Sequence, residues 1–178
     1  MLRREETRLA GLALLRPESF ADERGFFLES YSRRGLHEIG ITTEFLQDNH
    51  SRSVRDTVRG LHFQTGEGQA KLVRAARGRI WDVVVDIRRD SPTFGEWEAF
   101  ELDDVDHGQL YVPVGFAHGF CAISDIADVC YKVSAYYDPE TERGIAWDDP
   151  AIAIDWPAAE PKLSDRDRRN PTLADAAL

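Results

Sequence analysis

Residues 71–135 read KLVRAARGRIWDVVVDIRRDSPTFGEWEAFELDDVDHGQLYVPVGFAHGFCAISDIADVCYKVSA. Runs rich in β-branched and aromatic residues fall at 71–73, 80–87, 97–102, 109–112, 116–123 and 129–135. Such residues suit a pleated, half-buried surface, so each run predicts a strand. Turn formers separate them: Arg77-Gly78, Asp90-Ser91-Pro92, Asp103-Asp104, Asp106-His107-Gly108, Pro113-Val114-Gly115 and Ser124-Asp125. This punctuation returns about every ten residues, the spacing of a sandwich or barrel. The stretch therefore predicts an all-β fold, a closed double-sheet jelly roll whose mouth can hold a ligand between the sheets.

Outside that stretch, helix signals are few. Residues 33–39 form the clearest helix, with Ser32 placed to cap its start and Gly40 to stop it, and a short turn is expected near 164–169. Residues 174–178 are expected to fray. No repeat and no Gly/Ser- or Pro-rich linker divides the 178 residues, which predicts one domain over 1–178.

Composition narrows the function classes. The longest apolar run, 80–85, is interrupted by Asp82, and the first residues continue into charge, so no membrane-crossing or secretory segment is expected. Cys121 and Cys130 stand in strand-like apolar segments without neighbouring ligands, and are expected as buried thiols of a reducing, cytoplasmic compartment. A formal charge of -10 argues against nucleic-acid binding, which needs a positive surface to displace counterions. Residues 52–89 reverse that sign, with nine Lys or Arg against four Asp or Glu, a local +5 suited to a small anionic ligand. Arg74, Arg77, Arg79, Arg88 and Arg89 are for the most part expected to be ordinary solvated charges.

Three residue types point to chemistry. An imidazole can accept a proton near neutral pH, so His62, within RGLHFQ at 59–64, is a candidate base. Removing a proton beside a carbonyl also needs a cation near the oxygen where enolate charge develops and an acid on the opposite face. Lys71 and Tyr131 can fill those positions. Taken singly, the three would read as a satisfied structural histidine, a surface lysine at a strand start and a core tyrosine on an alternating strand.

The chain as a whole resembles the dTDP-4-dehydrorhamnose 3,5-epimerase family over nearly its entire length. The matching segments are DERGFFLE at 22–29, QDNHS at 47–51, RGLHFQ at 59–64, SPTFG at 91–95, PVGFAHGF at 113–120, YYDP at 136–139, WP at 156–157 and LSDRD at 163–167. This resemblance implies a cupin-type jelly roll that works as a homodimer on a dTDP-4-dehydro-6-deoxy sugar, without metal or other cofactor. It implies His62 as proton acceptor oriented by Asp167, Tyr131 as proton donor across the ring, and Lys71 at the C4 oxygen. Arg24, Phe27, Glu29, Gln47, Asp48, Asn49, Arg59, His118, Glu142 and Arg166 match substrate-contacting positions, and Tyr137 matches the aromatic that stacks on thymine. The forked donors of Arg59 suit a pyrophosphate. Arg24 and Glu29 belong to a segment that members of the family tend to pair with the neighbouring subunit.

Three positions depart from the family pattern. Arg166 stands where lysine is usual, Phe63 where tyrosine is common, and Arg55-Asp56 precede Arg59 where a glycine-containing turn is more usual. Two rival classes remain on the sequence. A metal-dependent cupin would begin a His-x-His ligand set at His62, but position 64 is Gln and no carboxylate follows at the usual interval. A non-catalytic sugar-nucleotide-binding module would not need His62, Tyr131, Lys71 and Asp167 together. The residues leave open whether C3, C5 or both are inverted.

Overall fold

The computed structural model describes residues 2–178. Two antiparallel sheets face one another. The first comprises β1 (Arg3–Glu5), β2 (Ala13–Arg16), β5 (Gln47–Val54), β7 (Lys71–Arg77), β10 (Gln109–Val112) and β12 (Ile126–Val133), in the order β1-β2-β10-β7-β12-β5. The second comprises β6 (Val58–Gln64), β8 (Arg79–Asp86), β9 (Trp97–Asp103), β11 (Phe116–Ala122) and β13 (Glu142–Gly144), in the order β13-β6-β11-β8-β9. A separate hairpin pairs β3 (Ser19–Asp22) with β4 (Gly25–Leu28). Sequence neighbours thus repeatedly cross between sheets, as in a jelly roll.

Alternation along the strands builds the core. Val73, Ala75 and Val129 of the first sheet meet Ile80, Val84, Phe116 and Phe120 of the second between the layers. Each fully buried Val, Ile, Leu or Phe side chain there contributes about 1.5 to 3 kcal/mol. Val83, Val85 and Ala117 point out of the second sheet's other face, where Ile145, Ile152 and Ala176 of the C-terminal segment cover them. The expected fraying of residues 174–178 is therefore corrected: Ala176 is buried and Leu178 packs against the same cluster. Apolar surface on the sheet holds the tail down.

The helix forms as its caps dictate. It spans Arg33–Glu38, the Ser32 hydroxyl accepts from the Gly35 amide at 3.2 Å, and Gly40 follows with a positive φ. Leu36 pins it to the outer face of the first sheet against Ala13, Leu15 and Leu72. The turn expected near 164–169 is a 3-10 turn at Asp167–Arg169.

Two expectations need correction. Cys121 is buried, and burial pushes its thiol up to about 11, but Cys130 is only half-buried, because alternation turns it to the outer face of the first sheet beside His50 and Arg74. Arg88 is not simply solvated: it grips the fully buried Asp86 and lies 4.5 Å over the Phe116 ring. With Ser91 and Thr93 also donating to Asp86, it locks the turn between β8 and β9.

No helix among the described residues is long and apolar enough to cross a membrane.

Candidate active site

One cleft of about 650 Å³ opens between the two sheets. Its walls are polar because β5 turns Gln47, Asn49 and Ser51 inward at alternate positions, and a register shift in β6 brings both Arg59 and His62 to the cleft. From β5 come Gln47 and Asn49; from β6, Arg59 and His62; from β7, Lys71; from β11, His118; from β12, Tyr131. Glu142 of β13, Tyr137 of the preceding loop, and Arg166 and Asp167 of the C-terminal segment complete it.

The backbone beneath His62 is unusually close. Gly60 has φ 127°, and a Cβ there would fall 2.5 Å from the Gly119 Cα and 2.8 Å from the His118 carbonyl oxygen. Two glycines therefore let β6 and β11 approach where a bulge shifts their register, next to the paired positions His62 and His118. The two imidazoles are thus delivered by adjacent strands to the same cleft.

Each histidine is held by a carboxylate. His62 Nε2 lies 2.6 Å from Asp167 Oδ1, and Asp167 is buried. Burial pushes the Asp167 carboxyl up. The hydrogen bond and charge of His62, with the Ser164 hydroxyl and the Gly60 amide, more than offset that, and the carboxyl sits below its ordinary range. An ionised Asp167 accepts the Nε2–H and leaves Nδ1 of His62 as the free acceptor. His118 Nε2 is likewise 2.8 Å from Oδ1 of the fully buried Asp82.

Lys71 is 7 % exposed, and its Nζ donates to the His62 carbonyl at 3.1 Å. Burial lowers its pKa to about 8 against the raising charges of Glu142 and Asp82. Burial and the Glu142 charge raise the Tyr131 phenol, opposed by Arg59 and Asn49, so the hydroxyl keeps its proton. Glu142 is also bonded by Arg166, and the Gln47 side-chain oxygen accepts from the Tyr137 amide at 3.2 Å, fixing that loop at the rim. Arg59 Nε donates to Ser53 Oγ at 3.0 Å.

Four residues matched by resemblance are not brought to this cleft. Asp48 falls on the opposite face of β5 from Gln47 and Asn49, where it takes the Lys132 ammonium at 2.7 Å. Arg24, Phe27 and Glu29 ride on the β3–β4 hairpin and its exit. Phe27 is 71 % exposed, Arg24 Nε donates to Asp22 Oδ2 at 3.1 Å, and Glu29 faces a hollow shared with Leu36. Among the described residues the hairpin pairs with no other strand, and its Phe26 packs on His107 of the loop between β9 and β10. Asp82 is the functional candidate that sequence reasoning missed; its one signal was a carboxylate interrupting the run IWDVVV.

The model of the family described as dTDP-4-dehydrorhamnose 3,5-epimerase matches residues 6–175. The chain belongs to this family. A dTDP-4-dehydrorhamnose 3,5-epimerase from Pseudomonas aeruginosa is 48% identical over 174 residues, covering 96% of each chain. An epimerase from Streptomyces niveus named dTDP-4-dehydrorhamnose 3-epimerase is also 48% identical, over 94% of this chain and 82% of its own. The crystal structure of the epimerase from Legionella pneumophila in complex with dTDP-4-keto-L-rhamnose superposes with a TM-score of 0.94 at 43% identity, covering 98% of this chain and 94% of that one. The jelly roll and family expected from the sequence are thereby borne out. Among the described residues, no group of three or more His, Cys, Asp and Glu is arranged to hold a metal ion.

Proposed function

We propose that this epimerase inverts C3 and C5 of dTDP-4-dehydro-6-deoxy-D-glucose, giving dTDP-4-dehydro-L-rhamnose. The observation that carries the reading is the His62–Asp167 pair sharing one cleft with Lys71 and Tyr131. Nδ1 of His62 takes the proton from the carbon beside the C4 ketone, and the C–H electron pair becomes the enolate. The Lys71 ammonium stabilises the charge that develops on the C4 oxygen, while Asp167 stabilises the imidazolium. Tyr131 donates its phenolic proton to the opposite face of the carbon, which inverts it. Solvent then restores the proton on Tyr131 and removes the one on His62. A second cycle at the other flanking carbon completes the reaction.

Remote contacts hold the substrate. Arg59 takes the diphosphate, Tyr137 stacks on the thymine, and Gln47, Asn49, His118, Glu142 and Arg166 position the sugar and nucleotide. Asp48 is left out of that set, because its side chain is on the other face of β5. The protein acts as one domain and as a homodimer in the cytoplasm. In the dimer the exposed hairpin carries Arg24, Phe27 and Glu29 into the partner's cleft.

The second reading is inversion at C3 alone. The equal identity of the Streptomyces niveus 3-epimerase favours keeping it. The product's ring proton couplings by NMR distinguish the two: inversion at both carbons supports the 3,5 reading, and inversion at one overturns it. The metal-dependent rival finds both candidate histidines committed to carboxylates and a buried lysine lining the same cleft.

A further inference from the structure

Asp82 lies in the middle of β8, fully buried. It shares a strand face with Ile80 and Val84, which point into the apolar space between the sheets. A carboxylate in such a place is costly unless it is paired. Its Oδ1 is 2.8 Å from His118 Nε2, and its Oδ2 has no hydrogen-bond partner among the described residues. A half-satisfied buried carboxylate keeps its negative charge against the His118 ring that it meets, and His118 and Lys71 line the same cleft.

We propose that Asp82 is a positioning residue for the epimerisation: it commits His118 to the tautomer with Nδ1 turned to the substrate, and supplies negative charge near Lys71. The inference rests on the epimerase reading. With Nε2–H given to Asp82, Nδ1 is the nitrogen of His118 left to accept a hydrogen bond from a substrate hydroxyl. His118 thereby orients the sugar while Lys71 faces the ketone oxygen. The other groups around Lys71 are the His62 carbonyl from β6, Tyr131 from β12 and Glu142 from β13, the last already shared with Arg166. Of the two carboxylates whose charge raises Lys71, Glu142 is shared with Arg166 and Asp82 is bonded, among the described residues, by His118 alone.

Two measurements on the intact protein test this. In the wild type at pH 8, nitrogen NMR of labelled histidine should show His118 protonated at Nε2 and bare at Nδ1; the Nδ1–H tautomer overturns the proposal. In Asp82→Asn, the titration of Lys71 followed by labelled-lysine NMR should move to lower pH by about half to one unit, because a nearby negative charge is lost. The alkaline limb of kcat/KM should move with it. An unmoved titration, with rates lowered equally at all pH values, would show a structural role only and overturn the proposal. Should Asp82→Asn not fold, the wild-type tautomer still decides. Both NMR readings need no turnover, so their failure is distinct from failure of the epimerase reading, which appears as a wild type that does not invert the sugar.

Discussion

Asp167 Oδ1 lies 2.6 Å from His62 Nε2 across 105 residues of chain. The contact exists because the C-terminal segment returns to the mouth of the barrel, where Lys162 pairs with Thr57 and its carbonyl accepts from the Val58 amide at 3.0 Å. Asp167→Asn keeps the shape and removes the charge that supports an imidazolium. Steady-state kinetics should show kcat lowered by about 10²- to 10⁴-fold, the usual worth of general acid–base catalysis, with KM little changed. A variant within twofold of wild type would remove Asp167 from the account.

Lys71 gives the pH dependence on the alkaline side. Its pKa is lowered to about 8, so the ammonium is complete below that value and is lost as pH rises through it. A pH profile of kcat/KM should therefore fall above about pH 8 in the wild type. Lys71→Met should lower kcat by about 10²- to 10³-fold, as loss of one enolate-stabilising donor does, and abolish that limb.

Asp128 makes an acid-side contribution to stability. Its hydrogen bonds from Arg52, at 2.6 and 2.8 Å, outweigh burial, and with the charge of Arg52 and the nearby His50 they lower its pKa to about 2. A depressed carboxylate stabilises the fold fully above its unfolded pKa, about 3.9, and loses that as pH falls through its folded value. By calorimetry, the Tm difference between wild type and Asp128→Asn should be constant above about pH 5. It should shrink between about pH 4 and pH 2. A difference that persists unchanged at pH 2 contradicts the ion-pair origin.

The hairpin of β3 and β4 gives a test by complementation. If Arg24 serves the partner's cleft, mixed dimers of Arg24→Ala and His62→Ala contain one fully native site and one doubly altered site. Unfolding and refolding the two together should restore activity to about a quarter of wild type, since half the dimers are mixed and each has one site. If Arg24 serves its own cleft, the mixture should gain nothing over the average of the two.

The sequence revealed its strands where they are apolar. β10 has the expected bounds, and β7, β8, β9, β11 and β12 lie over the other five runs. It did not reveal β5 and β6 as strands, because their inward positions hold Gln47, Asn49, Arg59 and His62, which face the cleft and break the apolar alternation. The functional wall was invisible for the same reason that it is functional. His62, Lys71 and Tyr131 were legible as residue types suited to moving a proton beside a ketone, and the resemblance added Asp167; their convergence needs pairings across both sheets. Motifs could not separate Asp48 from Asn49, since strand alternation, rather than proximity in sequence, sends one to Lys132 and the other to the cleft. Asp82 escaped because a single acidic residue in an apolar run carries no chemical signature until His118 is seen against it.

The most direct test of the account is exchange with solvent. Incubating the wild type with dTDP-4-dehydro-6-deoxy-D-glucose in heavy water should place deuterium on the carbons that are inverted, read by NMR and mass. His62→Ala should slow that incorporation by about 10²- to 10⁴-fold. Deuterium incorporation by His62→Ala at the wild-type rate would contradict the assignment of His62 as the base.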